Sequence, residues 1–288
     1  MTAAPPIAQP AIESLPVFGT ILRGYRAAVR QAGAFIVLAI VWTAIAAGTR
    51  YVTEELTHTL SDLRAHYTFP AAVRHEAAQL VQYAELLVGA SLIGVTVYRA
   101  IILGEGLRWD ALWRIGRREI RYLALAIVFS VPVHVGMKSL AIAVNLGVAP
   151  VTLQQALMAI DIPILRTMSV SVTAHLLVSI ALTPFFALAF PLIAIGAPGP
   201  VLQRSMRVSR GHRARLGTIG FLASSPVIPL MYAPYFAGTA NTPTLAILQS
   251  TAAIFLSLLA SALVSAVFAV AFQRVTAHLH KGTYDVFD

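Results

Sequence analysis

Three ionisable residues set inside long apolar runs, Glu85, Lys138 and His175, are the groups of this chain whose type and position best suit chemistry. Counting helical residues inward from the outer ends of their runs puts each roughly 12–15 Å below the surface of a bilayer. A charge near the middle of a membrane costs at least about 2.5–3.5 kcal/mol on insertion scales. A Glu85–Lys138 ion pair, extended by His134 or His175, would lower that cost and fix helix register, which is the structural reading of the cluster. The functional reading is a proton or solute site, because an imidazole changes charge near neutral pH and Glu85 could exchange Lys138 for a transported cation. Gln82, Asn145 and Gln249 can complete a polar layer at the same level.

A second set of candidates is basic. Sixteen of the 21 Lys and Arg residues lie in four short stretches that border the apolar runs. The first holds Arg23, Arg26 and Arg30, and the second Arg99, Arg108, Arg114, Arg117, Arg118 and Arg121. The third holds Arg204, Arg207, Arg210, Arg213 and Arg215, and the last Arg274 and Lys281. Guanidinium groups at the ends of apolar segments suit phospholipid phosphates. Arg23, Arg26, Arg30, Arg114, Arg117, Arg118, Arg204, Arg207 and Arg213 are therefore candidate lipid head-group contacts, and they serve equally as topology determinants that snorkel to the interface. The formal charge of +9 does not point to nucleic acid, since these arginines do not sit on a polar, aromatic-laced surface.

Other chemistries lack their residues. There is no cysteine, which excludes disulfides, thiolate metal sites and cysteine nucleophiles. No glycine-rich phosphate loop and no His-Glu-x-x-His sequence occur, and His278 and His280 stand two apart, on different sides of a helix. Nothing marks a serine activated by a base and an orienting carboxylate. No catalytic residue, no metal and no cofactor is expected.

The elements that must position these groups follow from composition. The chain of 288 residues is 58% hydrophobic and 11% charged, with a mean hydropathy of +0.76, so lipid is the solvent for much of it. Crossing the hydrocarbon takes roughly 20 helical residues. Six runs qualify: about Ala32 to Ala47, Ala77 to Leu103, Tyr122 to Val148, Met168 to Ile195, Leu216 to Phe236, and Leu245 to Val275. Pro184 and Pro191 kink the fourth, and Pro226, Pro229 and Pro234 break the fifth. The polar segment from Tyr51 to Glu76 reads as one or two short helices outside the membrane.

Each odd-numbered run is preceded by a basic stretch with apolar residues at helical spacing: ILRGYRAAVRQ, LWRIGRREIRYL and LQRSMRVSRGHRARL. Their recurrence at about 90 residues fits an internal repeat of one interfacial helix and two spans. In the first stretch Ile21, Leu22, Tyr25 and Val29 can share the lipid-facing side, flanked by the arginines. In the sixth run Ala253, Ser257, Ser261, Ser265 and Ala269 form a strip of small side chains that lets another helix, internal or from a second protein, approach closely.

The predicted fold is thus an all-α polytopic membrane protein: six transmembrane helices in three hairpins, each preceded by a basic interfacial helix. Residues 1–15 form a disordered tail, 16–275 the membrane domain and 276–288 a C-terminal tail. The N-terminus has no positive region ahead of its first apolar run, so no cleaved signal is expected. The positive-inside rule places both termini in the cytoplasm.

The basic-helix hairpins, and above all RSMRVSRGHRARLGTIGFL from Arg204 to Leu222, resemble the bacterial integral membrane families typified by YciC and by the membrane domain attached to some glycerophosphodiester phosphodiesterases. The resemblance runs along most of the chain as a pattern. It implies a bacterial cytoplasmic membrane as the location, while the soluble phosphodiesterase barrel with its metal-binding acidic residues is absent from this chain. The expected role is a non-enzymatic scaffold or accessory protein whose partners are membrane lipids, and further membrane proteins or a second copy through the small-residue strip. The competing expectation is a small transporter or channel built on Glu85, Lys138 and His175.

Overall fold

Long stretches without helix breakers set the architecture. The structure, a computed structural model, describes residues 15–63, 71–106, 115–145, 181–226 and 243–280. Among them all regular secondary structure is helical: α1 (Val17–Arg30), α2 (Ala32–Leu63), α3 (Ala71–Ile102), α4 (Arg117–Asn145), α5 (Ala189–Ala194), α6 (Val201–Ser209), α7 (Arg213–Ser224) and α8 (Pro243–His280). Residues 181–186 are also helical and lead through a turn into α5.

Between Gly48 and Pro70 no glycine or proline interrupts the sequence, and α2 runs on to Leu63. α3 begins directly after Pro70. The polar segment from Tyr51 to Glu76 therefore prolongs two long helices of 32 residues each, in place of the separate short helices expected there. α3 stops where Gly104 takes a positive φ of 67°. α5 ends in the same way. Gly196 adopts a φ of 78°, its N–H donates to the Ile193 carbonyl, and the Ala197 N–H donates to the Leu192 carbonyl, a Schellman closure.

α8 is the axis on which the other helices assemble. Its 38 residues, about 57 Å at the usual helical rise, exceed what a membrane requires and continue to His280, past the expected domain edge at 275. α3 and α1 pack on it most extensively, followed by α2 and α7. Small residues make this possible: Ala253, Ala260, Ala262, Ala266, Ala269 and Ala271 are buried along α8. One core gathers Phe35, Leu38, Ile93, Val97, Ile254 and Leu258 between α2, α3 and α8. The other surrounds the C-terminal half of α8 with Tyr98, Tyr122, Leu188, Leu192, Leu216, Ile219 and Phe272.

Among the described residues three helices are long and apolar enough to cross a membrane: Ala32–Thr49 within α2, Tyr83–Ile102 within α3 and Leu248–Ala277 within α8. They coincide with the first, second and sixth expected spans and point to a membrane protein. Exposed Ile36, Val37 and Ile40 on α2, with Ile127, Val128, Val131 and Val135 on α4, give these helices apolar outer faces. The third expected span falls on α4, which contains Pro132. The fourth is described only over Ala181–Ala194 and the fifth only over α7, which ends at Ser224, ahead of Pro226.

The basic helices differ from expectation in two respects. α1 has three sectors. Thr20, Gly24 and Ala28 are buried; Arg23, Arg26 and Arg30 are exposed; and Phe18, Leu22 and Val29 are exposed as well. The side that packs is the small one, because a Cβ on Gly24 would lie 2.5 Å from the Val267 Cα, so only a side-chain-free helix can cross α8 there. Ile21 and Tyr25, expected on the lipid side, are partly buried against the core. The second basic stretch does not form a helix of its own over its described part: Arg117, Arg118 and Arg121 belong to the opening turns of α4, after Gly116, while Arg114 lies outside the described residues.

Candidate functional site

The most informative internal feature is a cavity of about 320 Å³ between α3, α4, residues 181–190, α7 and α8. Its walls are mostly apolar. Phe129, Phe186, Phe190 and Phe268 line it together with Leu86, Leu87 and Val264. The rings form a connected series, with Phe129 at 5.6 Å from Phe186 and 6.0 Å from Phe190, both edge-on, and Phe190 at 5.0 Å from Tyr122.

One wall carries hydroxyls. Ser257, Ser261 and Ser265 stand one helical turn apart on α8, and Thr183 and Ser224 add to them. At its base, Tyr98 and Tyr122 hydrogen-bond to each other and to Ser265, with their rings 6.2 Å apart. Both tyrosines are buried. Gly94 makes their meeting possible, since a Cβ at that position would collide with the Tyr122 hydroxyl. Gly220 has the same function across the cavity, where a Cβ would come within 2.7 Å of Thr183 Cγ2.

The α8 strip divides between helix packing and the cavity wall. Ala253 and Ala269 are buried in helix packing, whereas Ser257, Ser261 and Ser265 border open space. Spacing alone identified the strip but not the void beside it, because the opposing wall comes from residues 33 to 179 positions away in sequence.

A second, smaller cavity of about 260 Å³ opens at the start of α4. Arg117, Arg118, Glu119 and Arg121 line it, with Ile193, Gly196, Ala197 and Val201 opposite. Glu119 is committed locally, since its Oε2 accepts the Gly116 N–H at 2.9 Å. Beside this region Arg99 forms a two-pronged ion pair with Glu105, Nε to Oε2 at 2.7 Å, and donates from Nη1 to the Ala194 carbonyl at 3.3 Å. Arg99 thus locks the ends of α3 and α5 together.

The remaining basic candidates lie on surfaces. Arg23, Arg26, Arg30, Arg207 and Arg213 are exposed, and Arg213 stacks over the Phe185 ring at 5.1 Å. Arg204 is half-buried, and its Nη1 is shielded from solvent without a hydrogen-bond partner.

Of the expected ionisable cluster, Glu85 is placed on α3, half-buried and engaged by the surrounding structure, with both carboxylate oxygens shielded. His134 and Lys138 fall on α4, but their side chains lie outside the described ones, and His175 lies outside the described residues altogether. The α3–α4 link seen near this level is made by Tyr83, whose hydroxyl donates to the Ser130 carbonyl at 3.3 Å. Among the described residues no three His, Asp or Glu side chains are grouped to hold a metal ion. The described walls of the large cavity carry hydroxyls and rings but no carboxylate or imidazole. The chain matches no family model, no curated protein and no solved structure, so its likeness to the YciC-type families stays one of sequence pattern.

Proposed function

We propose that this chain is a non-enzymatic protein of a bacterial cytoplasmic membrane, an accessory or scaffold component that shelters an apolar or amphiphilic membrane molecule within its helices. The observation that carries this reading is the hydroxyl-lined, aromatic-walled cavity of about 320 Å³, at the lower end of the size range of small-molecule pockets. Hydroxyls among apolar walls can orient a weakly polar group while the rings cover a chain. The six-span arrangement with three basic elements and both termini on the cytoplasmic side belongs to this proposal. It is supported by the three long apolar helices and by the exposed arginines of α1, α4 and α6.

The test is ligand retention. Full-length protein purified in mild detergent is expected to carry a lipid-derived molecule visible by native mass spectrometry. Filling the cavity with Ser261→Phe is expected to remove that molecule while the melting temperature falls by no more than a few degrees. Retention of the same molecule by the filled variant would remove the cavity from consideration.

A transport site at Glu85 is the second reading, favoured by the shielding of its carboxylate within an apolar helix. Glu85→Gln separates the two. Loss of folded protein indicates a structural carboxylate, and a stable protein with altered proton-driven flux indicates a transport site.

A further inference from the structure

We infer that the basic cavity at the start of α4 and the apolar cavity below it form one bipartite site for a phosphate-headed lipid, an inference that rests on the reading of the large cavity as a lipid shelter. The two spaces draw on the same two elements, although no residue lines both. On α4, Arg118 lines the basic space, and Tyr122, four residues on and therefore on the same face, lines the apolar one. On α5, Ile193 lines the first and Phe190, three residues earlier, the second. A single helical turn, about 5.4 Å, separates them along both helices. The Tyr122–Phe190 ring contact, 5.0 Å between centroids, stands between them, and these two rings must part for a hydrocarbon chain to pass from one space to the other.

Charge selects the head group. Three arginines and a single carboxylate line this space, and the carboxylate is already bonded to the Gly116 N–H, which leaves the lining net cationic. Guanidinium forks match the oxygens of a phosphate ester, and the anionic lipids of a membrane supply that ester next to a hydrocarbon chain. A space of about 320 Å³ accepts one chain, so any second chain of the lipid stays in the bilayer.

The test uses a matched pair of probes with the full chain in detergent: radiolabelled dodecyl phosphate and radiolabelled dodecanol, with inorganic phosphate as competitor. Wild type is expected to bind dodecyl phosphate at least about tenfold more tightly than dodecanol. Arg118→Gln with Arg121→Gln is expected to erase that preference while dodecanol binding stays unchanged, and Ser261→Phe is expected to weaken both probes. If the double arginine variant keeps the preference, and Ser261→Phe removes both probes, the bipartite site is wrong although the cavity reading survives. If neither probe binds wild type, the cavity reading itself fails. If the arginine variant loses dodecyl phosphate but Ser261→Phe does not, or if inorganic phosphate competes at equal concentration, the arginines serve a free or peripheral phosphate and the inference is overturned.

Discussion

The Tyr25 hydroxyl donates to the Ala223 carbonyl at 2.8 Å, a bond that ties α1 to α7 across 198 positions of chain. Burial raises the phenol's pKa above its ordinary 10.0 because the phenolate would lose its water. A phenol whose pKa is higher folded than unfolded contributes stability that is intact below pH 10 and declines as pH rises through the folded value. Tyr25→Phe should therefore cost about 0.5–1.5 kcal/mol at neutral pH and flatten the alkaline loss of stability, as thermal melts in detergent at pH 8 and pH 11 will check. Nothing in the local sequence marks this tyrosine, because periodicity places it with Ile21 and Val29 on an apolar side. Its true partner is a backbone carbonyl that no pattern around position 25 can reveal. The hydrogen-bonded Tyr98, Tyr122 and Ser265 were equally hidden, since each reads alone as a core or small residue.

Among the elements, the contact of α1 with α8 is decided by the absence of a side chain. Gly24→Ala places a methyl group against the Val267 backbone, which cannot rotate away, so α1 must shift at a cost of about 1–3 kcal/mol. Gly33→Ala is the matched control, because nothing lies within 4 Å of its Cβ and alanine suits a helix better. The pair predicts a lowered melting temperature for the first variant and an equal or higher one for the second. Hydropathy reading found α2, α3 and α8, whose apolar windows are dense and poor in charge. It misjudged α1 for a physical reason: Thr20, Gly24 and Ala28 contribute little hydrophobicity, yet their smallness permits the closest packing. It also cut the polar extensions of α2 and α3 into separate helices, although no breaker lies between Gly48 and Pro70.

For the molecule as a whole, the basic elements should mark one side of the membrane. The chain has no cysteine, so single substitutions report on topology without background. Arg26→Cys and Arg207→Cys should react with an impermeant maleimide from the cytoplasmic side, and Thr59→Cys, near the far end of α2, from the opposite side. Labelling of Arg26→Cys and Arg207→Cys from different sides would overturn the shared basic face. The cavities were legible in no single segment, because each needs α4, α5 and a third helix in register; only its arginines and the serine strip of α8 stood out beforehand.

The seat of α8 at the centre of both cores also dictates an order of assembly. α8 is the last described helix, yet α1, α2, α3 and α7 all rest on it. A chain that lacks α8 therefore leaves the packing of Gly24, Leu38, Ile93 and Ile219 incomplete. Nascent chains arrested before Leu245 should accordingly be cleaved rapidly by membrane proteases, and chains that include Val275 should turn resistant in a single step.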